Sequence, residues 1–202
     1  MELDHVTFKG PPFEEREVVV AALPDNLVGL LRQINGFILF GGGLHVRGVC
    51  AVPAWHSLSS VIFGPNALHS SYPALCGSDV PFAQDCVADQ YVLRDRAVHK
   101  LEAETGKLQA LNLALPEFFA AMQANPVEFL GMQPLVRHQQ ESGPLEPGQV
   151  LHAYPPFSSK EAASGVSLKA VPVAEALAYL ADLSRRISSM ADGQIFRINV
   201  VP

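Results

Sequence analysis

The fold is decided by four short segments: DVPFA at 79–83, DQYVLR at 89–94, AVHKLEA at 97–103 and KLQALNL at 107–113. Each is the length of a β-strand, and the second and third show the alternation of a strand, at Tyr91 and Leu93 and at 98–101. Short turn sequences, RDR and ETG among them, separate these three segments. Strands joined by tight turns pair with their neighbours in sequence, so this region predicts an antiparallel meander.

Helices are predicted on both sides of this meander. The segment PEFFAAMQAN at 116–125 begins with a proline, which the first turn of a helix tolerates. Apolar residues at helical spacing predict a helix within 23–36 and a longer one within 172–190. A final strand is predicted at 194–201. This order favours an α+β fold: a mainly antiparallel β-sheet flanked by helices, with a C-terminal strand-helix-strand extension.

The composition divides the chain into four parts. Residues 1–17 contain Gly-Pro-Pro and a run of charges, and we expect a flexible arm. Residues 18–132 form the predicted α+β domain. Residues 133–148 are polar and rich in turn formers, which predicts a linker. Residues 149–202 form an αβ extension, and its apolar helical stripe predicts packing on the first domain.

Charge and hydropathy exclude several classes of function. The net charge of −6 disfavours nucleic-acid binding, which needs a dense lysine and arginine surface. The longest apolar run near the N-terminus, at 18–23, is far too short for a membrane span. The first ten residues lack the apolar core of a secretory signal, and the three cysteines form no CxxC pair. We therefore expect a cytoplasmic protein that does not bind membranes.

No motif for catalysis or metal binding is present. The glycines of FGGGLH at 40–45 are not followed by the lysine and hydroxyl of a phosphate-binding loop, and they predict a turn. GxSxG and HExxH are both absent, and the histidines are scattered. We expect no catalytic residue, no metal site and no cofactor.

Two groups of residues leave alternatives open. Asp79, Asp85 and Asp89 either cap turns or form an acidic patch for a basic partner. Trp55 and Tyr91 are either core residues or aromatic anchors of an interface. Sequence alone does not separate these alternatives.

Three segments resemble the SUKH superfamily, which includes the yeast cell-wall-assembly-regulator (Smi/Knr) type domain. LPDNLVGLLRQINGF at 23–37 resembles its opening motif. The proline-phenylalanine strand and the acidic-aromatic strand at 79–94 resemble its second hallmark, and PEFF at 116–119 falls where the family has its closing helix. Together they span about 23–130. The chain departs from the pattern at Ala88, where family members commonly have a glycine.

The resemblance implies a compact domain that works by binding proteins. Many bacterial members look like immunity proteins that neutralise a toxin, so the expected partner is a cognate toxin protein, possibly basic. The candidate binding residues carried over by position are Trp55, Asp85, Asp89 and Tyr91. A regulatory or scaffolding module without a toxin is the alternative, and a hydrolase with an unrecognised site is a third.

Overall fold

A computed structural model describes residues 3–15 and 17–189. Its main element is a seven-stranded sheet in which each strand pairs antiparallel with the next one in the chain. The strands are β1 (Val6–Lys9), β2 (Phe37–Leu39), β3 (Leu44–Val46), β4 (Val80–Asp85), β5 (Gln90–Arg94), β6 (Ala97–Leu101) and β7 (Leu108–Ala114). The antiparallel meander predicted from 79–113 is confirmed, and it forms strands β4 to β7.

The turn between β5 and β6 explains why the strands reverse so tightly. Arg94 pairs with Ala97, which leaves a two-residue loop. Both loop residues, Asp95 and Arg96, have positive φ angles of 50° and 68°. Positive φ angles at both loop residues give the backbone twist that a two-residue connection between antiparallel strands requires.

The described residues form seven α-helices in addition to the sheet, which confirms the α+β class. The helices are α1 (Asp25–Gln33), α2 (Ser59–Ile62), α3 (Leu68–Ser71), α4 (Leu115–Ala124), α5 (Pro126–Phe129), α6 (Gln133–Ser142) and α7 (Val173–Ser188). None of these helices combines the length and hydrophobicity needed to span a bilayer. Short 3-10 helices lie at Val18–Ala22, Ala54–His56 and Lys160–Ser164.

Helix α4 closes the aromatic core of the large sheet. Its first turn is stabilised because the Glu117 carboxylate accepts a hydrogen bond from the Ala114 backbone N–H at 2.8 Å. Phe118 packs against Tyr91 of β5 and Phe82 of β4, with ring centroids 4.8 and 5.6 Å apart. These buried rings fix α4 on this side of the sheet.

A second, two-stranded sheet follows α6. Its strands β8 (Gln149–Tyr154) and β9 (Ser167–Pro172) pair antiparallel and lead into α7. The Leu151 N–H donates to the Cys86 carbonyl at 2.7 Å, and Leu180 packs with Ala88 and Ala103. The C-terminal segment, as far as residue 189, therefore packs beside the β4–β5 and β6–β7 turns of the large sheet.

Three parts of the structure differ from the sequence predictions. The expected flexible arm contains β1, an edge strand of the sheet, because Val6 and Phe8 alternate inward and Phe8 packs on Trp55. The expected linker contains α6, since buried Leu135 at its centre holds it against the core. Strand β9 was not predicted. The predicted strand at 194–201 lies outside the described residues.

Candidate functional site

Asp85, a predicted surface residue, is buried. It is 1 % exposed, and Lys100 Nζ lies 2.9 Å from its Oδ2. Its Oδ1 accepts hydrogen bonds from the backbone N–H groups of Val87 and Asp89, each at 3.0 Å. The prediction of a partner-binding role for Asp85 is therefore wrong, because its carboxylate stabilises the β4–β5 turn and offers no surface to a partner. Burial, with help from Asp89, raises the pKa of this carboxyl to about 7 against the opposing effect of Lys100.

Tyr91, the predicted aromatic anchor, belongs to the core. It is 1 % exposed and its ring packs against Phe118. Its hydroxyl is buried with no hydrogen-bond partner among the described residues. Residues 90–93 of β5 are buried on both faces of the sheet, so an aromatic side chain at position 91 packs in the core.

Asp89 and Trp55 are both half-buried, but they line different cavities. Asp89 Oδ1 accepts from the Ala103 N–H at 2.8 Å, and its Oδ2 lies 3.1 Å from Lys100 Nζ. The Trp55 ring lies 5.1 to 5.4 Å from the rings of Phe8, His45 and His56. The four predicted residues therefore do not form a single surface.

The cavity beside Asp89 is the first candidate site, and we call it the acidic cleft. It has a volume of about 260 Å³, and its lining includes Asp89, Glu102, Glu104, His152 and Phe157. No lysine or arginine lines it among the described residues. The Glu104 carboxylate is held in place by the backbone N–H groups of Phe157 and Ser158, at 3.0 and 2.7 Å. The cleft can accept a positively charged group.

Sequence reasoning missed Glu102 and Glu104 because both lie in a turn, where acidic residues are common. Their role depends on β8 and the following loop, which bring Phe157 next to them from more than fifty positions away. A local sequence pattern cannot predict a contact between residues so far apart in the chain.

A row of buried polar side chains crosses the large sheet. His45 of β3 pairs with Gln84 of β4, which pairs with Gln90 of β5, so the three share one face. Arg47, two positions after His45, is 1 % exposed and lies on the same face. Its guanidinium donates to Pro81 O, Gln84 Oε1 and Gln90 Oε1 at 2.9, 2.5 and 2.7 Å. The signal for this row in the sequence is that His45 and Arg47 alternate with apolar residues in and just after β3.

The histidines of this face form a hydrogen-bonded pair. His45 Nε2 lies 2.9 Å from His56 Nδ1, and the two rings are stacked. Burial lowers the pKa of both rings, with further lowering from the nearby positive charge of Arg47. Both rings are therefore neutral at physiological pH.

Two cavities adjoin this polar row. His45, Gln84 and Asp85 line a small one of about 60 Å³, which is below the size of ordinary ligand sites. A larger one, of about 440 Å³, is lined by Arg47, Trp55 and residues of α2, α3 and α7, and we call it the Arg47 cavity. In the described part of the chain, no three His, Cys, Asp or Glu side chains lie close enough to hold a metal ion.

Comparison with known proteins bears on the fold alone. No protein-family model and no curated protein sequence matches the chain. Among solved structures, that of Atu4351 from Agrobacterium tumefaciens is similar, with a TM-score of 0.54 and 11 % sequence identity. The match covers 87 % of this chain and 85 % of that chain. The architecture is therefore shared by another protein, while the SUKH resemblance stays a prediction.

Proposed function

We propose that the protein is a non-catalytic protein-binding domain that recognises a basic partner through the acidic cleft. The observation that carries this proposal is the charge of the cleft: Asp89, Glu102 and Glu104 line it, and among the described residues only Asp89 pairs with a cation, Lys100. The net charge of −6 adds a long-range attraction for a positively charged protein. Such attraction accelerates association and selects partners of opposite charge.

The rim of the cleft supports the same proposal. Phe157 lines the cleft beside Glu104 and is 41 % exposed. Large aromatic side chains are enriched in protein interfaces, where polar groups surround them at the rim. A basic side chain seated between the carboxylates would contact Phe157 with its aliphatic part.

The identity of the partner is proposed from the SUKH resemblance. On that basis the partner is a cognate toxin and the domain is a cytoplasmic immunity protein. A regulatory or scaffolding module would use the same cleft for a basic partner that is not toxic. Co-expression separates the two: an immunity protein restores the growth of cells that express the partner, and a scaffolding module does not.

The test is a comparison of three proteins as affinity baits, followed by binding measurements with the purified partner. Glu102→Lys reverses a charge inside the cleft, and Glu175→Lys makes the same change at an exposed position of α7 outside it. We expect the parent and Glu175→Lys to retain the same basic protein. Glu102→Lys should bind it at least tenfold more weakly, mainly through slower association at low salt.

Two results contradict the proposal. One is that Glu102→Lys binds the partner as tightly as the parent does. The other is that the retained partner is acidic and its binding does not weaken as salt rises.

A further inference from the structure

We propose that the Arg47 cavity is a binding site for a small carboxylate with an apolar body, such as a medium-chain fatty acid. This proposal goes beyond the acidic cleft, because the two cavities share no lining residue. Helix α7 separates them: Leu180 lines the cleft, whereas Leu177 and Ala181 line the cavity. Either proposal can therefore fail alone.

The charge of Arg47 is the first argument. Its guanidinium is 1 % exposed, and the three acceptors that it contacts are neutral oxygens. Within the described residues, no carboxylate lies within 4 Å of it to form an ion pair. A buried cation without a counterion is costly, and burial lowers the pKa of Arg47 to about 9. A bound carboxylate would supply the missing charge.

The other polar groups of the cavity are compatible with an anion. Arg185 of α7 also lines it, with its guanidinium 3.2 Å from the Asp182 carboxylate, and no aspartate or glutamate lines the cavity among the residues that the structure describes. Ser60, Asn66 and Ser71 add neutral hydrogen-bonding groups to the wall. Among the described residues, Arg47 is therefore the lining cation without a carboxylate partner, and this favours an anion in the cavity.

The shape and the apolar wall define the rest of the ligand. The volume of about 440 Å³ falls within the range of small-molecule sites. Trp55, Val61, Leu68 and Leu177 provide an apolar surface next to the arginine. A carboxylate can accept from a guanidinium N–H that Pro81, Gln84 and Gln90 leave free, and an apolar chain would then cover Trp55. A polyanion would leave most of its charge against this apolar wall.

The alternative is that Arg47 only links three strands through its hydrogen bonds. That role needs no cavity and no ligand. It predicts that an anion and a neutral molecule of the same shape bind equally poorly, and binding measurements separate the two interpretations.

The experiment uses Trp55 as its reporter, since it is the only tryptophan in the chain and it lines the cavity. Octanoate is titrated into the 202-residue protein while the fluorescence of Trp55 is recorded. Octanol, which has the same chain without the charge, and octyltrimethylammonium, with the opposite charge, serve as comparison probes. We expect a saturable change with octanoate, at least tenfold weaker binding of octanol and none of the ammonium ion.

Two variants connect that signal to the cavity. Arg47→Gln should weaken octanoate binding at least tenfold in protein that circular dichroism shows to be folded. Ala178→Phe fills the mouth of the cavity from an exposed position of α7, and Ser188→Phe is the matched control on the same helix outside it. We expect Ala178→Phe to abolish the fluorescence change and Ser188→Phe to preserve it. If Arg47→Gln fails to fold, the pair on α7 decides the question.

Three outcomes would overturn the proposal. They are the absence of a saturable change with octanoate, equal affinity for octanoate and octanol, and unchanged octanoate binding by Ala178→Phe. Folded Arg47→Gln that binds octanoate as the parent does would also exclude the guanidinium as the recognition group.

Discussion

His45 donates a hydrogen bond from Nε2 to Nδ1 of His56 across 2.9 Å, and His56 Nε2 donates to the Asn35 carbonyl at 3.1 Å. A carbonyl oxygen can only accept, so the proton of neutral His56 is on Nε2 and its Nδ1 is an acceptor. A second proton on His56 Nδ1 would face the N–H of His45. The pair is therefore built for two neutral rings.

Stability should fall when the solution is acidified. Burial lowers the pKa of both rings from the ordinary 6.5, so below that pH the unfolded chain binds protons that the folded chain excludes. Each histidine then reduces the free energy of unfolding by up to about 1.4 kcal/mol per pH unit. Asp85 acts in the opposite direction, because its raised pKa makes the folded chain bind a proton first.

The contribution of the pair is measured by urea unfolding at pH 7.0 and 5.5. Between these values the parent should lose about 1 kcal/mol more than His45→Gln. His69→Gln, a change at an exposed position of α3, should behave as the parent. Equal losses in the parent and His45→Gln would show that His45 becomes protonated in the folded state.

The ring of His56 leaves no room for a side chain at Gly48. A Cβ atom there would lie 2.5 Å from the Asn35 carbonyl oxygen and 2.8 Å from His56 Nε2. Gly48→Ala should therefore reduce the free energy of unfolding by about 2 kcal/mol or more. The control is Gly29→Ala in α1, where nothing lies within 4 Å and the change should stabilise by up to about 1 kcal/mol. A Gly48→Ala protein as stable as the parent in urea would refute the close packing.

Substitution of Asp85 tests its structural role directly. In Asp85→Lys a second cation replaces the buried carboxylate next to Lys100, so the loss should reach about 3 to 5 kcal/mol. Glu175→Lys, at an exposed position, should stay within about 0.5 kcal/mol of the parent in the same thermal unfolding measurement. An unchanged melting temperature in Asp85→Lys would restore the surface interpretation.

A substitution at Leu180 tests whether the C-terminal segment unfolds together with the large sheet. It is 5 % exposed and packs with Ala88 and Val150, so Leu180→Asp buries an unpaired charge. We expect a loss of roughly 3 kcal/mol or more, in a single unfolding transition. Ala178→Asp, at an exposed position of the same helix, is the control. Two separate transitions in the parent would contradict a shared core.

Local patterns predicted the elements, and distant contacts determined what lines each site. The alternation within 89–101 was sufficient to predict β5 and β6, because turn chemistry and strand length are local properties. The burial of Asp85 could not be predicted in the same way, since it depends on Lys100, which lies on a different strand. Helix α6 was missed because only its Leu135 and His138 are buried, too few for an apolar stripe.

Ala88 occupies a backbone conformation that favours glycine. Its φ angle is +69°, and its methyl group is completely buried beside Leu180. Ala88→Gly relieves backbone strain of about 1 kcal/mol but loses a buried methyl group of about 0.8 kcal/mol. The two effects nearly cancel, so the free energy of unfolding should change by less than about 1 kcal/mol.

Two further variants separate the backbone effect at Ala88 from packing. Ala88→Val keeps the strained angle and adds a branched side chain in a full core, and we expect a loss of about 2 kcal/mol or more. Ala178→Gly makes the glycine change in the interior of α7, where no strain is relieved, and should cost about 1 kcal/mol. Urea unfolding of the three variants ranks their free energies of unfolding. If Ala88→Gly costs as much as Ala88→Val, the methyl group outweighs the strain. The β4–β5 turn would then depend on alanine at the position where the SUKH pattern has glycine.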